Sequence, residues 1–220
     1  MFLFHKETCY NFAMKVYLVR HGQSLGNQEG QFQAPDTPLS PLGKKQAKTL
    51  AARLKGISFD VIYSSPLPRA KETSEIISKE LGRPIEVWED IQETRNPKEV
   101  ISLSRSSSKA KRIKRLVRQN YHKRDWRYSD EETFDELNER GRKVITHLLK
   151  HHKGQNVLCV SHAGMIKMIL ARMIFEDSLT PEIYWNFKYH LWSKNTGISV
   201  CDYNQEYRWT LETWNDTTHL

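Results

Sequence analysis

The stretch Lys15-Val16-Tyr17-Leu18-Val19-Arg20-His21-Gly22 decides the fold. Four apolar residues rich in β-branched and aromatic types follow one lysine, and a glycine soon breaks the run. Such a pattern reads as a buried strand that ends in a loop, with Arg20 and His21 at its tip. Working outward, Ser40-Pro41 supplies an N-cap and a first helical position. Ala47, Leu50, Ala51 and Leu54 then recur at helical spacing, and Gly56 ends the helix. A second strand is expected over 59–63, a helix from Pro68 to about Leu81, and a third strand at Ile85-Glu86-Val87. A basic segment follows, helical over about 109–120. Ser129 with Glu132 reads as a capping box for a helix running to His152. A fourth strand over 156–160 enters a helix at Ala163 that carries Ile166, Ile169, Leu170 and Met173. Strands near 197–203 and 207–213 close the chain.

Strands alternating with helices specify an α/β fold, a three-layer α/β/α sandwich around a mainly parallel sheet. At 220 residues the chain makes one domain over 14–220. Residues 1–13 read as a flexible extension, and a basic helical insertion or lid occupies about 98–128. Ser102 to Ser108 is the one low-complexity patch and reads as a hinge into that insertion.

Composition narrows the class. Hydrophobic residues make up 38% of the chain, and no run nears the roughly 18 apolar residues that a membrane helix needs. The N-terminus has four apolar residues and no basic lead-in, which is not the pattern of a signal peptide. Cys9, Cys159 and Cys201 form no CxxC pair, and the latter two lie in strand-like runs. Buried reduced thiols and a cytoplasmic location follow. His151-His152 is adjacent rather than spaced i,i+4, so no metal site is expected. The net charge is +8, yet ten Lys or Arg and one acid fall between Arg105 and Tyr128. That leaves 24 basic against 25 acidic residues elsewhere, so the basicity belongs to one segment.

In such a sheet ligands bind beyond the carboxyl ends of the strands. Strand one ends in Arg20-His21-Gly22 and strand four in Ser161-His162-Ala163-Gly164, the second histidine also heading a helix. One histidine at a strand tip is ordinarily a satisfied loop residue; two, with Arg20 beside the first, mark an anion site. Ser64-Ser65-Pro66-Leu67-Pro68-Arg69 brings a second arginine to the same rim, in a helical first turn that disfavours a cation unless an anion is near. Glu93, in the loop after strand three, is by itself an ordinary solvated carboxylate.

These residues carry a resemblance. Val19-Arg20-His21-Gly22-Gln23-Ser24 with Asn27 resembles the signature of the histidine phosphatase superfamily, the phosphoglycerate mutase-like fold. Pro38-Leu39-Ser40 with Gly43 and Gln46-Ala47, Ser64-Ser65-Pro66 through Arg69 to Thr73, Glu93, and Ser161-His162-Ala163-Gly164 follow in the family's order. The resemblance implies His21 as a nucleophile that accepts the phosphoryl group, with Arg20, Arg69 and His162 around its oxygens. Asn27 and the backbone near Gly22 and Gly164 would add donors. Glu93 would be the general acid, with Asp90 the neighbour to test against it. No cofactor and no metal are then required.

The resemblance leaves phosphatases and mutases as branches. Mutases carry a Leu-Asn-Glu-Arg-His-Tyr-Gly stretch in the acid loop; here Gln92-Glu93-Thr94-Arg95-Asn96-Pro97 stands there, which favours a phosphomonoester hydrolase. The alternatives are a phosphoglycerate-type mutase and a non-catalytic binder of nucleic acid or an acidic partner. The partner expected is a small, polyanionic phosphorylated substrate drawn in by the basic lid. The rival readings of the basic segment are a solvated helix paired with the acids from Asp130 to Glu139, and a nucleic-acid surface with Tyr121 and Trp126 as stacking groups. Neither nucleic acid nor membrane is the expected partner, and oligomeric state is not legible.

Overall fold

The computed structural model describes residues 14–123 and 126–220; the stretch read as an extension, 1–13, lies outside the described residues. Six strands form one sheet: β1 (Met14–Arg20), β2 (Val61–Ser64), β3 (Ile85–Val87), β4 (Gln155–Ser161), β5 (Ile198–Asn204) and β6 (Arg208–Asp216). Their order is β3-β2-β4-β1-β5-β6. β3, β2, β4 and β1 run parallel, whereas β5 and β6 are antiparallel additions at the other edge. The fold is the α/β/α sandwich with a mainly parallel sheet.

Seven helices accompany the sheet among the described residues: α1 (Leu25–Gln28), α2 (Pro41–Leu54), α3 (Pro68–Leu81), α4 (Ser108–Asn120), α5 (Phe134–His151), α6 (Ala163–Phe175) and α7 (Pro181–His190). The central strands are apolar on both faces because helices cover both. On one side Val157 and Cys159 of β4 pack with Val16 and Leu18 of β1 against α5 and α6, through Leu137, Val144, Met165 and Ile169. On the other, Leu158 and Val160 pack with Val19 against Leu50, Ala51 and Leu54 of α2 and Ala70 and Ile77 of α3. α4 has its own small core: Ala110, Ile113 and Val117 meet Val100, Phe32 and Trp126.

Several elements differ from the sequence reading. The capping box of α5 is Thr133 with Glu136, not Ser129 with Glu132. Ser129 instead donates to the Glu99 carboxylate, and Glu132 is bound bidentately by Arg140 at 2.8 and 2.6 Å. α7 was not foreseen, although Thr180-Pro181 caps it by the same rule that found α2. The start of the 102–108 patch is tied to the loop after α1: Ser102 N–H donates to the Phe32 carbonyl at 2.7 Å, Phe32 N–H to Leu103 at 3.0 Å, and Arg105 N–H to Gly30 at 2.9 Å. Tyr121 and Trp126 are not stacking platforms. Tyr121 packs edge-on against Trp185 and Phe134, and Trp126 belongs to the core under α4. The cations of α4 form no ion pair with an acid among the described residues, whereas Arg127, in the same basic segment, pairs with Glu136 at 2.5 Å.

One close approach sets the loop after β1 against α2. Ser40 N–H donates to the Gln23 carbonyl, Ser40 Oγ to Gln23 Oε1 at 2.8 Å, and Gln23 N–H to Gln46 Oε1 at 2.9 Å. A Cβ on Gly43 would stand 1.9 Å from the Gln23 carbonyl oxygen. Gly43→Ala should therefore cost about 3 kcal/mol, read as a fall in Tm of roughly 6–12 °C for a chain of this size. Gly56→Ala, where an added Cβ meets nothing within 4 Å, should leave Tm nearly unchanged. Equal melting of the two variants would show that the seam tolerates a side chain.

Candidate active site

The carboxyl ends of β1, β2 and β4 are level. Arg20 pairs with Ser161, and Ser64 with Val160. His21 N–H continues the ladder to the Ser161 carbonyl at 3.0 Å, and Ser65 N–H to the Val160 carbonyl at 3.0 Å. His21, Ser65 and His162 thus leave adjacent strands side by side. The His21 and His162 ring centroids lie 5.0 Å apart, close to the spacing of neighbouring strands, about 4.8 Å.

His21 is fully buried, and its Nδ1 stands 2.6 Å from the Gly22 carbonyl. A carbonyl only accepts, so Nδ1 carries the proton and Nε2 keeps its lone pair. Burial, then the Arg20 and Arg69 cations, holds the ring well below the ordinary histidine range, keeping it neutral. His162 is lowered likewise by burial, His21 and both arginines. Its Nε2 meets Ser65 Oγ at 2.7 Å, while its buried Nδ1 has no partner among the described residues.

The two arginines are held by backbone carbonyls and amides rather than by carboxylates. Arg20 donates to the Ser193 carbonyl and, at 3.4 Å, to Asn27 Oδ1. Arg69 donates to the Ala34 and Pro35 carbonyls at 3.3 and 3.4 Å. In both, Nε is buried without an acceptor among the described residues. Buried donors of this kind ordinarily find partners, so the pair is set for an anion. Burial lowers Arg20 to about 10, with Glu93 opposing, and lowers Arg69 in the same way. Thr73 ties the two halves together: Gly22 N–H donates to its Oγ1 at 3.1 Å, and Oγ1 donates to the Arg69 carbonyl at 2.7 Å.

Glu93 lies in the same site, in a loop anchored from two sides. Ser161 Oγ donates to the Ile91 carbonyl at 2.6 Å. Arg140 of α5, paired with Glu132, donates to the Asp90 and Gln92 carbonyls at 2.9 and 2.7 Å. Glu93 Oε1 accepts from Thr94 N–H at 2.9 Å and from Gly164 N–H at 3.0 Å, in the first turn of α6. A Cβ at 164 would stand 2.5 Å from Glu93 Oε1 and 2.6 Å from Thr94 Oγ1, so a side chain there would displace the Glu93 carboxylate. Asp90 contributes its carbonyl to the Arg140 anchor, and its charge acts on His147 at the rear of α5.

Beside these groups a cavity of about 530 Å³ is lined by Arg69, Glu93, Thr94, Asn96, Phe32 and Arg105, among others. The structure therefore brings together Arg20, His21, Gly22, Asn27, Arg69, Glu93 and His162, all named from sequence. It adds Asn195, which sequence reasoning missed: its Nδ2 donates to the His21 carbonyl at 3.0 Å and to Asn27 Oδ1 at 3.1 Å. Arg140 was also missed as an anchor. Neither has a local sequence signal for its role, because Asn195 reaches His21 and Arg140 reaches the Asp90 and Gln92 carbonyls across more than forty residues of chain. Among the described residues no group of three or more His, Cys, Asp or Glu is placed to hold a metal ion, and no helix is long and apolar enough to cross a membrane.

The site can be compared with known proteins. The chain is 30% identical over 219 residues to the "Probable phosphoglycerate mutase GpmB" of Escherichia fergusonii, covering 94% of this chain and 95% of that relative. It is 28% identical over 211 residues to the metal-independent phosphoserine phosphatase of Arabidopsis thaliana, covering 94% and 83%. The solved alpha-ribazole phosphatase from Shigella flexneri superposes with a TM-score of 0.75 at 26% identity, covering 92% of this chain and 96% of that one. A family model described as histidine phosphatase superfamily (branch 1) matches residues 16–217. That match takes in every strand-tip segment and nearly all the remaining chain, and on that ground the protein belongs to branch 1 of the histidine phosphatase superfamily.

Proposed function

We propose that this protein hydrolyses phosphomonoesters through a phosphohistidine on His21. The observation that carries the reading is the Nδ1–H···O=C bond from His21 to Gly22, which leaves a neutral ring with its lone pair on Nε2 beside two cations. In the first step Nε2 attacks phosphorus, the ester P–O bond breaks, and Glu93, as general acid, passes a proton to the departing oxygen. Arg20, Arg69 and His162 hold the phosphoryl oxygens as charge spreads over them. In the second step Glu93 takes a proton from water, the water oxygen attacks phosphorus, and the P–N bond electrons return to Nε2. Inorganic phosphate leaves, and both residues regain their starting states.

A mutase must shelter the phosphohistidine from water and retain a bisphosphorylated intermediate. The 92–97 loop lacks the mutase stretch, and the phosphoserine and alpha-ribazole phosphatases named above favour hydrolysis. Residues 14–220 act as one domain, with the 98–128 segment as cover over the site. The substrate is a small phosphorylated molecule, and free buried Cys159 and Cys201 suit a reducing cytoplasm.

Turnover of p-nitrophenyl phosphate should persist in excess EDTA, and His21→Ala should lose on the order of 10⁴-fold in kcat while melting like the parent. Full activity in His21→Ala would remove the nucleophile assignment. Glu93→Gln should lower kcat on the order of 10²-fold or more, with acid-labile phosphate building up on the protein. Asp90→Asn should stay near the parent rate, and the reverse pattern would move the acid to Asp90.

The pH profile gives a third check. Because the folded-state histidine is pushed below its usual 6.5, the neutral nucleophile persists as pH falls through that value. For p-nitrophenyl phosphate, kcat/KM should therefore show no loss titrating near 6.5. A descending acid limb centred there would mean that His21 is solvated and protonates normally.

A further inference from the structure

Ser65, directly after β2, is fully buried, as is His162. Its backbone is fixed from two sides: the N–H donates to the Val160 carbonyl at 3.0 Å, and the carbonyl accepts from Ser64 Oγ at 3.0 Å. Val160 stands two residues before His162, so the sheet ladder itself brings the serine hydroxyl against the imidazole. Ser65 Oγ has two contacts among the described residues, His162 Nε2 at 2.7 Å and the Leu67 N–H at 3.3 Å.

These contacts admit two proton arrangements. A hydroxyl has one proton to give and two lone pairs, and one lone pair takes the Leu67 N–H. Burial, then His21 and the two arginines, keeps the His162 ring neutral, so one of its nitrogens bears the proton. With that proton on Nε2, Ser65 Oγ would accept twice, and its own proton would have no acceptor among the described residues. With the hydroxyl donating to Nε2, both contacts are satisfied and the ring proton sits on Nδ1. Nδ1 is the ring nitrogen buried without a partner. Buried polar groups ordinarily find partners, and an N–H in that position is met by an oxygen of the incoming phosphoryl group.

Resting on the hydrolase reading above, we infer that Ser65 is a positioning residue: its hydroxyl donates to His162 Nε2 and so holds the ring in the Nδ1–H tautomer, as a neutral donor to a phosphoryl oxygen. The two histidines then share one tautomer and present opposite ends to the phosphoryl group. His21, whose Nδ1–H is engaged by the Gly22 carbonyl, offers the lone pair of Nε2; His162, whose Nε2 is engaged by Ser65, offers the proton of Nδ1. A neutral N–H holds an oxygen without passing its proton on, so protonation of the departing oxygen stays with Glu93.

Nitrogen-15 NMR of histidine-labelled protein at pH 7 reads the tautomer, because Nε2 couples to both carbon-bound ring protons and Nδ1 strongly to one. The His162 signals, assigned as those missing from His162→Gln, should place the proton on Nδ1 in the wild type. Ser65→Ala leaves both ring nitrogens without a partner among the described residues, so its spectrum should show the two tautomers mixed. Toward p-nitrophenyl phosphate the same variant should lose on the order of 10²-fold in kcat, with KM within about threefold of the parent, because a donor matched to charge developing in transfer acts on kcat. A wild-type proton on Nε2 would overturn the assignment, and that spectrum decides even where Ser65→Ala fails to fold. A folded Ser65→Ala variant with an unmoved tautomer, or with parental kcat, would overturn it as well. If the wild type cleaves no phosphoester yet shows an Nδ1–H tautomer that mixes in Ser65→Ala, the hydrolase reading fails and the role of Ser65 in setting the ring stands.

Discussion

Everything at the site depends on the in-register parallel pairing of β1 with β4. Because Arg20 lies opposite Ser161, each strand releases its next residue, a histidine, at the same height. The separation of the two rings is the separation of two hydrogen-bonded strands, so no flexible loop sets it. A slip of one residue would turn one histidine to the opposite face of the sheet. Such a slip would also exchange Val157 and Cys159 with Leu158 and Val160 between the two helical layers, undoing the packing of both cores. Core packing therefore enforces the active-site geometry.

The cost of the arrangement is electrostatic. Two arginines and two histidines are removed from water, and the depressed pKa values of Arg20, His21, Arg69 and His162 record the penalty. A site in which these cations and neutral rings are buried with Glu93 as the opposing charge loses stability in return for a reactive ring. The same environment makes Glu93 doubly placed: it is bound by an amide in the first turn of α6, and it is the negative charge to which the surrounding cations respond. Its loop does not close on its own. Arg140 grips Glu132 with two hydrogen bonds and the Asp90 and Gln92 carbonyls with two more, so α5 carries the acid loop as a rigid attachment.

How much of this was legible in the sequence follows from how local each determinant is. β1, β4 and the helices over 41–54, 68–81 and 163–175 announce themselves by apolar runs, caps and periodicity, and the strand-tip histidines follow from them. The antiparallel direction of β5 and β6 is not written in any periodicity; only the short turn between Asn204 and Arg208 implies it. The start of α5 offers two successive Ser/Thr-x-x-Glu signals four residues apart. The second prevails because Glu99, thirty residues back, claims Ser129, and Arg140, two turns into α5, claims Glu132. α7 was hidden by its aromatic composition despite a clear Thr-Pro start.

The seam between the β1 loop and α2 bears on how the determinants of such a site are found. Gly43 permits the Gln23 carbonyl to come so close that even a methyl group is excluded, and Gly22 meets the Gly43 backbone under similar restriction. The nucleophile is thus positioned in part by atoms that are missing. Truncation to alanine, the usual way of asking what a side chain contributes, becomes at these positions an insertion. A residue-by-residue survey would rank them beside overpacked core sites, although what they supply is room.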